Sequence, residues 1–179
     1  SPHPQDMSEE VINVMNDYEN ICNYVHLPLQ SGSNRILERM NRTYSRERFI
    51  DLYFSIKEKL KNVGVSTDII VGFPGESDQD FQDTISLMEE VKFDSAFTFK
   101  YSSRPGTKAA NYNDNIDEVE KQVRLQKVID LQKIHSMYNN RKIIGNIENV
   151  LIEKESKKSE LKWTGRTAVS YTHLTLPTS

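Results

Sequence analysis

The chain has 179 residues, 27% of them charged and 36% hydrophobic, with a formal net charge of −3. That length suits one medium domain with its own core, or a domain with a small appendage, and argues against two complete domains. Polar residues interrupt every apolar run well short of the roughly 20 residues a membrane helix needs, so no membrane partner is expected. The slight acidity excludes a uniformly basic nucleic-acid binder but leaves room for a local basic patch.

The first element is a short helix from Ser8, a suitable N-cap, to about Asp17, with Val11, Ile12 and Met15 as its apolar residues. A strand-like run, Tyr24 to Leu29, follows. Ser33 then opens a short helix carrying Ile36, Leu37 and Met40. Ser45 opens a longer one with Phe49, Leu52, Tyr53, Ile56, Leu60 and Val63 on one face, stopped by Gly64. Val65 to Val71 is β-rich and ends at the turn Gly72-Phe73-Pro74-Gly75. Ser77 with Asp80 caps a helix bearing Phe81, Thr84, Ile85, Met88 and Val91, and Ser95 to Tyr101 is an aromatic-rich strand. After a loop over Ser102 to Asp114, Asn115 and Glu118 suggest a capping pair for a long polar helix reaching about Ile143. Short strands are expected at Ile147 to Ile152 and Leu161 to Arg166. Strands alternating with amphipathic helices imply an α/β fold with a mostly parallel sheet, open or closed into a barrel.

Period-two alternation places His26 and Gln30 on one face of the first strand, against Val25, Leu27 and Leu29. Ser66 and Asp68 share a face of the second. The third offers Thr98 and Lys100 as its polar face against Phe97, Phe99 and Tyr101. A parallel strand covered on both sides is ordinarily apolar on both, because a buried polar group left unpaired costs about 1 to 3 kcal/mol. Polar residues on one face therefore point to a ligand. In β/α barrels the chemistry sits at the C-terminal strand ends, here Gln30-Ser31-Gly32-Ser33, Gly72 to Glu76 and Tyr101 to Arg104. Cys22 is the single cysteine, which excludes an internal disulfide and any metal or iron–sulfur site built from cysteines, and favours a cytoplasmic setting. The start at Ser1, with neither Met nor a basic-then-apolar leader, suggests a missing upstream portion and no secretory signal.

The ordered set His26-Leu27-Pro28-Leu29-Gln30-Ser31-Gly32-Ser33, Met40-Asn41-Arg42, Asp68 to Glu76, Phe97 to Ser102 and Arg104-Pro105-Gly106-Thr107 resembles the radical S-adenosylmethionine methylthiotransferases, over roughly residues 1–167. Within that family it is most similar to the members that act on tRNA. The resemblance implies methylthiolation of C2 of N6-isopentenyladenosine beside the anticodon, with S-adenosylmethionine and 4Fe-4S clusters in the full-length protein and no cluster ligands in this chain. It also implies cofactor binding by Gln30, Ser33, Arg42, Asp68 and Gly72. Gln30 and Arg42 would take the amino-acid end, Arg42 through a bidentate fork. Asp68 would accept from the ribose hydroxyls, and Gly72 would let backbone approach the adenine. On the residues alone, Asp68 could equally be a structural carboxylate, Arg42 a solvated helix-start charge and Gly72 a plain turn. His26 reads as a hydrogen-bonded barrel residue rather than a catalyst.

The domains expected are 1–143 as the C-terminal part of a radical barrel, 144–167 as a truncated TRAM-like all-β RNA-binding module, and 168–179 as an unrelated tail left out of the fold. Lys142, Lys154, Lys157, Lys158 and Arg166 are the expected tRNA phosphate contacts, with Trp163 available for stacking. The full-length enzyme is expected to be monomeric. The rival functions are methylthiolation of a ribosomal-protein aspartate and non-catalytic RNA binding.

Overall fold

In the computed structural model, which describes residues 3–155, 162–169 and 174–177, three parallel strands carry the first part of the chain. They are β1 (Tyr24–His26), β2 (Gly64–Val71) and β3 (Ser95–Lys100), in the spatial order β1-β2-β3. The helices are α1 (Glu9–Asp17), α2 (Asn34–Arg39), α3 (Arg46–Lys59), α4 (Asp78–Val91) and α5 (Glu118–Lys142). The α/β order expected from the sequence is thus present.

The serines open the helices because their hydroxyls accept from backbone N–H groups that the helix leaves unpaired. Ser8, Ser33, Ser45 and Ser77 cap α1 to α4, and Ser77 with Asp80 forms a reciprocal capping box. Two expectations about helix ends need correction. The turn after α3 is made by Asn62 in the left-handed region (φ 53°), whereas Gly64 is already the first residue of β2. A Cβ on Gly64 would lie 2.7 Å from the carbonyl oxygen of Val169, so the glycine serves close packing rather than helix termination. At α5 the N-cap is Asp117, which accepts from the Glu120 N–H at 2.8 Å, and Asn115 instead accepts from the Gly75 N–H at 3.0 Å.

β1 is shorter than the apolar run suggests, for a reason visible in Pro28. Proline has no N–H to give the ladder. The Thr67 side chain fills the interruption: its hydroxyl donates to the Leu27 carbonyl at 2.8 Å and accepts from the Leu29 N–H at 3.0 Å. Pairing resumes beyond it as an isolated bridge between Gln30 and Ile69.

The core lies between one face of the sheet and the helices. Val25, Leu27, Leu29, Val65, Ile69 and Val71 pack there with Phe49, Tyr53, Ile56, Leu87, Met88 and Phe93, all buried. Each such side chain contributes about 1.5 to 3 kcal/mol through burial. Gly32 brings the loop after β1 against α4, where a Cβ would meet the Thr84 Cα at 2.5 Å.

The third strand lies the other way round from its expected orientation. In the parallel register Asp68 is opposite Phe97, Ile69 opposite Thr98, Ile70 opposite Phe99 and Val71 opposite Lys100. Phe97 and Phe99 therefore share the polar-lined face with Asp68 and are 54% and 51% exposed. Thr98 and Lys100 lie on the helix side, where Lys100 pairs with Glu118 of α5 at 2.9 Å.

α5 docks through polar groups. Its buried residues Lys121, Arg124, Val128, Gln132, His135 and Asn139 recur at helical spacing, and five of the six are polar or charged. Gln132, Ser136 and Asn139 donate to the carbonyls of Phe93, Asp94 and Lys92 at 2.9, 3.1 and 2.9 Å, the three residues joining α4 to β3.

A second, antiparallel sheet follows in the order β4 (Val150–Glu155), β5 (Lys162–Thr167), β6 (Leu174–Pro177). β4 runs three residues later than expected. β6 falls within 168–179, the segment left out as a tail, and pairs with β5 over four positions. Of the residues expected to meet phosphate, Lys157 and Lys158 lie outside the described residues.

Candidate functional site

The candidate site is the polar-lined sheet face and the loops at its C-terminal strand ends. The loop Gly72 to Glu76 after β2 is held by hydrogen bonds to both its backbone and the Glu76 side chain. Gly72 and Gly75 have φ of 71° and 83°, values that favour glycine. The Gly72 N–H donates to Glu76 Oε2 at 2.8 Å. Arg39 donates to the Pro74 carbonyl at 3.1 Å, and Arg35 to the Gly75 carbonyl at 2.6 Å. Beneath the loop, Arg124 uses all three of its nitrogens: Nη1 meets Glu76 Oε2 at 2.8 Å, Nη2 meets Asp78 at 2.7 Å and Nε meets Glu120 at 2.8 Å. Burial pushes the Glu76 carboxyl up, against the pull of Arg124 and of the Gly72 N–H.

The loop after β1 is anchored just as firmly. Ser33 is buried, and its hydroxyl donates to Asp80 at 2.6 Å while accepting from the Ile36 N–H. Arg35 and Ser77 also donate to Asp80. Burial raises the Asp80 carboxyl, but the hydrogen bonds from Arg35, Ser33 and Ser77 outweigh it and hold the group well below the usual carboxylate range. Tyr44 donates to the Pro28 and Leu29 carbonyls at 2.9 and 3.1 Å, which ties the chain just after Arg42 to the end of β1. Burial pushes the Tyr44 phenol up to about 12.

Among the residues expected to bind cofactor, three have side-chain capacity left over. Gln30 is buried with φ 69°; its backbone bonds to Asp68 and Ile70, and its amide has no described partner. Arg42 Nε is buried without a partner, and no described acid pairs with its guanidinium. The Asp68 carboxylate receives a single hydrogen bond among the described residues, from His26 at 3.2 Å. An arginine without an acid and a carboxylate with one donor are what an amino-acid carboxylate and a vicinal diol would complete, so the residues present fit S-adenosylmethionine. The other two sites are already engaged. Ser33 spends its hydroxyl on Asp80 and the α2 cap, and the close approach at Gly72 is to the Lys121 stem, 2.4 Å from a Cβ built there, rather than to open space.

Sequence reasoning missed the braces Arg35, Arg39, Lys121 and Arg124. Lys121 is buried and pairs with Asp114 at 2.6 Å and Glu118 at 3.1 Å. Period-based reading passes over such residues because they are charged. Their helical spacing was the available signal: Arg35 and Arg39 stand four apart on α2, and Lys121 and Arg124 three apart on α5. Of the candidate RNA contacts, Lys142 sits 4.2 Å over the Tyr138 ring and bonds Asn139, Arg166 pairs with Glu153 at 2.8 Å, and Lys154 is exposed with no described partner. Trp163 is half-buried.

Among the described residues no group of three His, Cys, Asp or Glu side chains could hold a metal ion, and no helix is long and apolar enough to cross a membrane.

Comparison with known proteins gives a consistent answer. Residues 1–88 match the model of the Radical SAM superfamily. The chain is 53% identical over 165 residues to a tRNA-2-methylthio-N(6)-dimethylallyladenosine synthase of Christiangramia forsetii, covering 92% of this chain and 34% of that protein. Proteins of the same name from Flavobacterium johnsoniae and Thermoanaerobacter sp. are 46% and 44% identical, over 95% and 92% of this chain and 36% and 35% of their own. The fold is similar to that of the archaeal Methanocaldococcus infernus Elp3 lacking residues 1–46, with TM-score 0.56 and 15% identity over 96% of this chain and 54% of that one. The chain thus spans about a third of the length of these curated relatives; its residues 1–88 match the radical SAM superfamily, and nearly all of it is similar to one segment of proteins named as tRNA methylthiotransferases.

Proposed function

We propose that the chain is the part of a tRNA methylthiotransferase that holds S-adenosylmethionine and leads into the RNA-binding module. The reaction would be methylthiolation of C2 of N6-isopentenyladenosine next to the anticodon. The observation that carries this reading is the similarity over 165 residues, 53% of them identical, to a protein named for that activity. Gln30, Arg42 and Asp68 support it, since each keeps unfilled hydrogen-bonding capacity.

S-adenosylmethionine bound at a 4Fe-4S cluster supplies radical hydrogen abstraction. The role of this chain is to bind and orient. Arg42 takes the cofactor's carboxylate through its planar fork, Gln30 its amino-acid end, and Asp68 the ribose hydroxyls. The braced loop Gly72 to Glu76 keeps the end of β2 fixed, so that little ordering remains to be done on binding. With one cysteine the chain cannot supply a three-thiolate cluster loop. The activity therefore belongs to a longer enzyme, which we take to be cytoplasmic and monomeric. Lys142, Lys154 and Arg166, with Lys157 and Lys158, would meet tRNA phosphates.

The test is complementation. The complete reading frame carrying this segment is expressed in a bacterium deleted for its own tRNA methylthiotransferase, and digested tRNA is analysed by mass spectrometry. Restoration of 2-methylthio-N6-isopentenyladenosine, lost in Arg42→Met, is the expected result. A ribosomal-protein aspartate gaining the methylthio mass, with tRNA unchanged, overturns the substrate; neither product overturns the activity.

A further inference from the structure

The polar-lined sheet face carries a hydrogen-bond chain that cofactor binding by Asp68 alone leaves without a purpose. Tyr24 Oη lies 2.6 Å from Ser66 Oγ, Ser66 Oγ lies 2.8 Å from His26 Nδ1, and His26 Nε2 lies 3.2 Å from Asp68 Oδ2. The parallel register brings these groups together, because His26 is opposite Ser66 in the β1–β2 pair and period two puts Asp68 on the same face. Ser66 is fully buried, whereas the His26 and Asp68 side chains keep 20% and 27% exposure and so remain at the surface of the site.

Proton counting fixes the ring. Nε2 faces a carboxylate oxygen, which only accepts, so Nε2 carries a hydrogen whatever the charge of the imidazole. In the neutral ring Nδ1 is then an acceptor, Ser66 donates to it, and Tyr24 donates to Ser66. Every contact in the chain then holds one proton and none is contested. The Phe97 ring closes a third side of the imidazole, edge-on at 5.9 Å and 65°. His26 is thereby held by a hydroxyl, a carboxylate and an aromatic ring.

We propose that His26 is a positioning residue for the ribose of the cofactor. It holds one oxygen of Asp68 through Nε2–H and stops rotation of the carboxylate, which leaves the other oxygen, unpartnered among the described residues, to accept from the vicinal hydroxyls. Tyr24 and Ser66 fix the tautomer, as groups behind a ligand commonly do. This rests on the reading of Asp68 as the ribose acceptor. His26 touches no reacting atom in this scheme and does not act as an acid or base.

The experiment measures calorimetric binding, by the full 179-residue chain, of S-adenosylmethionine and of an analogue lacking both ribose hydroxyls. Wild type is expected to prefer the natural ligand. His26→Phe should reduce that preference about tenfold, the scale of lost support behind a ligating group. His26→Gln, whose amide nitrogen can take the place of Nε2, should keep it within about threefold, a rescue that a merely space-filling role would not give. Wild-type protein that binds both ligands equally, or neither, overturns the ribose reading and this inference with it. A wild-type preference that survives intact in His26→Phe overturns the inference alone. The Nε2 proton gives an independent readout: a 15N-labelled His26 ring protonated only at Nδ1 would also overturn it.

Discussion

Replacing Arg124 by methionine should be among the most damaging single changes in the molecule. The Glu76 side chain is fully buried and the Arg124 side chain is 5% exposed. Methionine fills similar volume, so the loss is electrostatic: Glu76 keeps the Gly72 N–H as its one donor and becomes a buried carboxylate without a counter-charge. Breaking one side of such a pair costs about 3 to 5 kcal/mol. For a chain of this length that is a fall in melting temperature of about 6 to 20 °C. The assay is urea unfolding followed by circular dichroism, in which the midpoint should fall with little change in slope. The double variant Arg124→Met with Glu76→Gln should recover much of the loss. The pH dependence has a definite sign. Burial raises the folded-state value for Glu76, so the neutral form stabilises the variant below the ordinary carboxylate range, and this contribution is lost as pH rises through the raised value. The Arg124→Met deficit should therefore shrink on acidification toward pH 4.5. A deficit below about 1 kcal/mol at pH 7 would refute the brace.

Asp80, whose folded-state value is depressed, contributes stability above the ordinary aspartate value that is lost as pH falls below it; Asp80→Asn should cost about 2 to 4 kcal/mol at pH 7 and flatten the acid limb of a stability–pH curve. Burial, and then Lys92, lower His135, so the neutral ring stabilises the fold above about pH 6.5 and that contribution fades as pH falls through the lowered value. His135→Met should remove this step from thermal melts between pH 7 and 5. Gly32→Ala must push the β1 loop off the backbone of α4 and should cost about 2 to 3 kcal/mol by chemical denaturation.

Much of the architecture is legible in the sequence because serine at an N-cap and period-two alternation are local signals. Ser8, Ser33, Ser45 and Ser77 mark four helix starts without any tertiary information. The orientation of β3 was not legible. Its alternating residues are aromatic on one side and Thr or Lys on the other, and the rule that aromatics face a core gives the opposite answer from the register, which places Phe97 beside Asp68. The docked face of α5 escaped for a related reason, since its buried residues are polar and mimic a solvated helix. For the site, the motifs single out Gln30, Arg42 and Asp68, whose side chains keep hydrogen-bonding capacity among the described residues, together with Ser33, whose hydroxyl is engaged by Asp80 and the α2 cap, and Gly72, which packs against the Lys121 stem. What a motif cannot reveal is whether a side chain's hydrogen bonds are already taken.

The way α5 is fastened bears on how the molecule opens. Gln132, Ser136 and Asn139 grip three successive carbonyls, so a slip of one residue along the helix axis, about 1.5 Å, would break all three bonds together. The contact works as a keyed joint: it fixes where α5 sits more than how tightly it adheres. Lifting the helix away would uncover carbonyls and amides with comparatively little oily surface, and so would depend only weakly on urea. The strand-end loop braced by Arg124 rides on that same helix, and any such excursion would release the floor of the site before the sheet itself came apart.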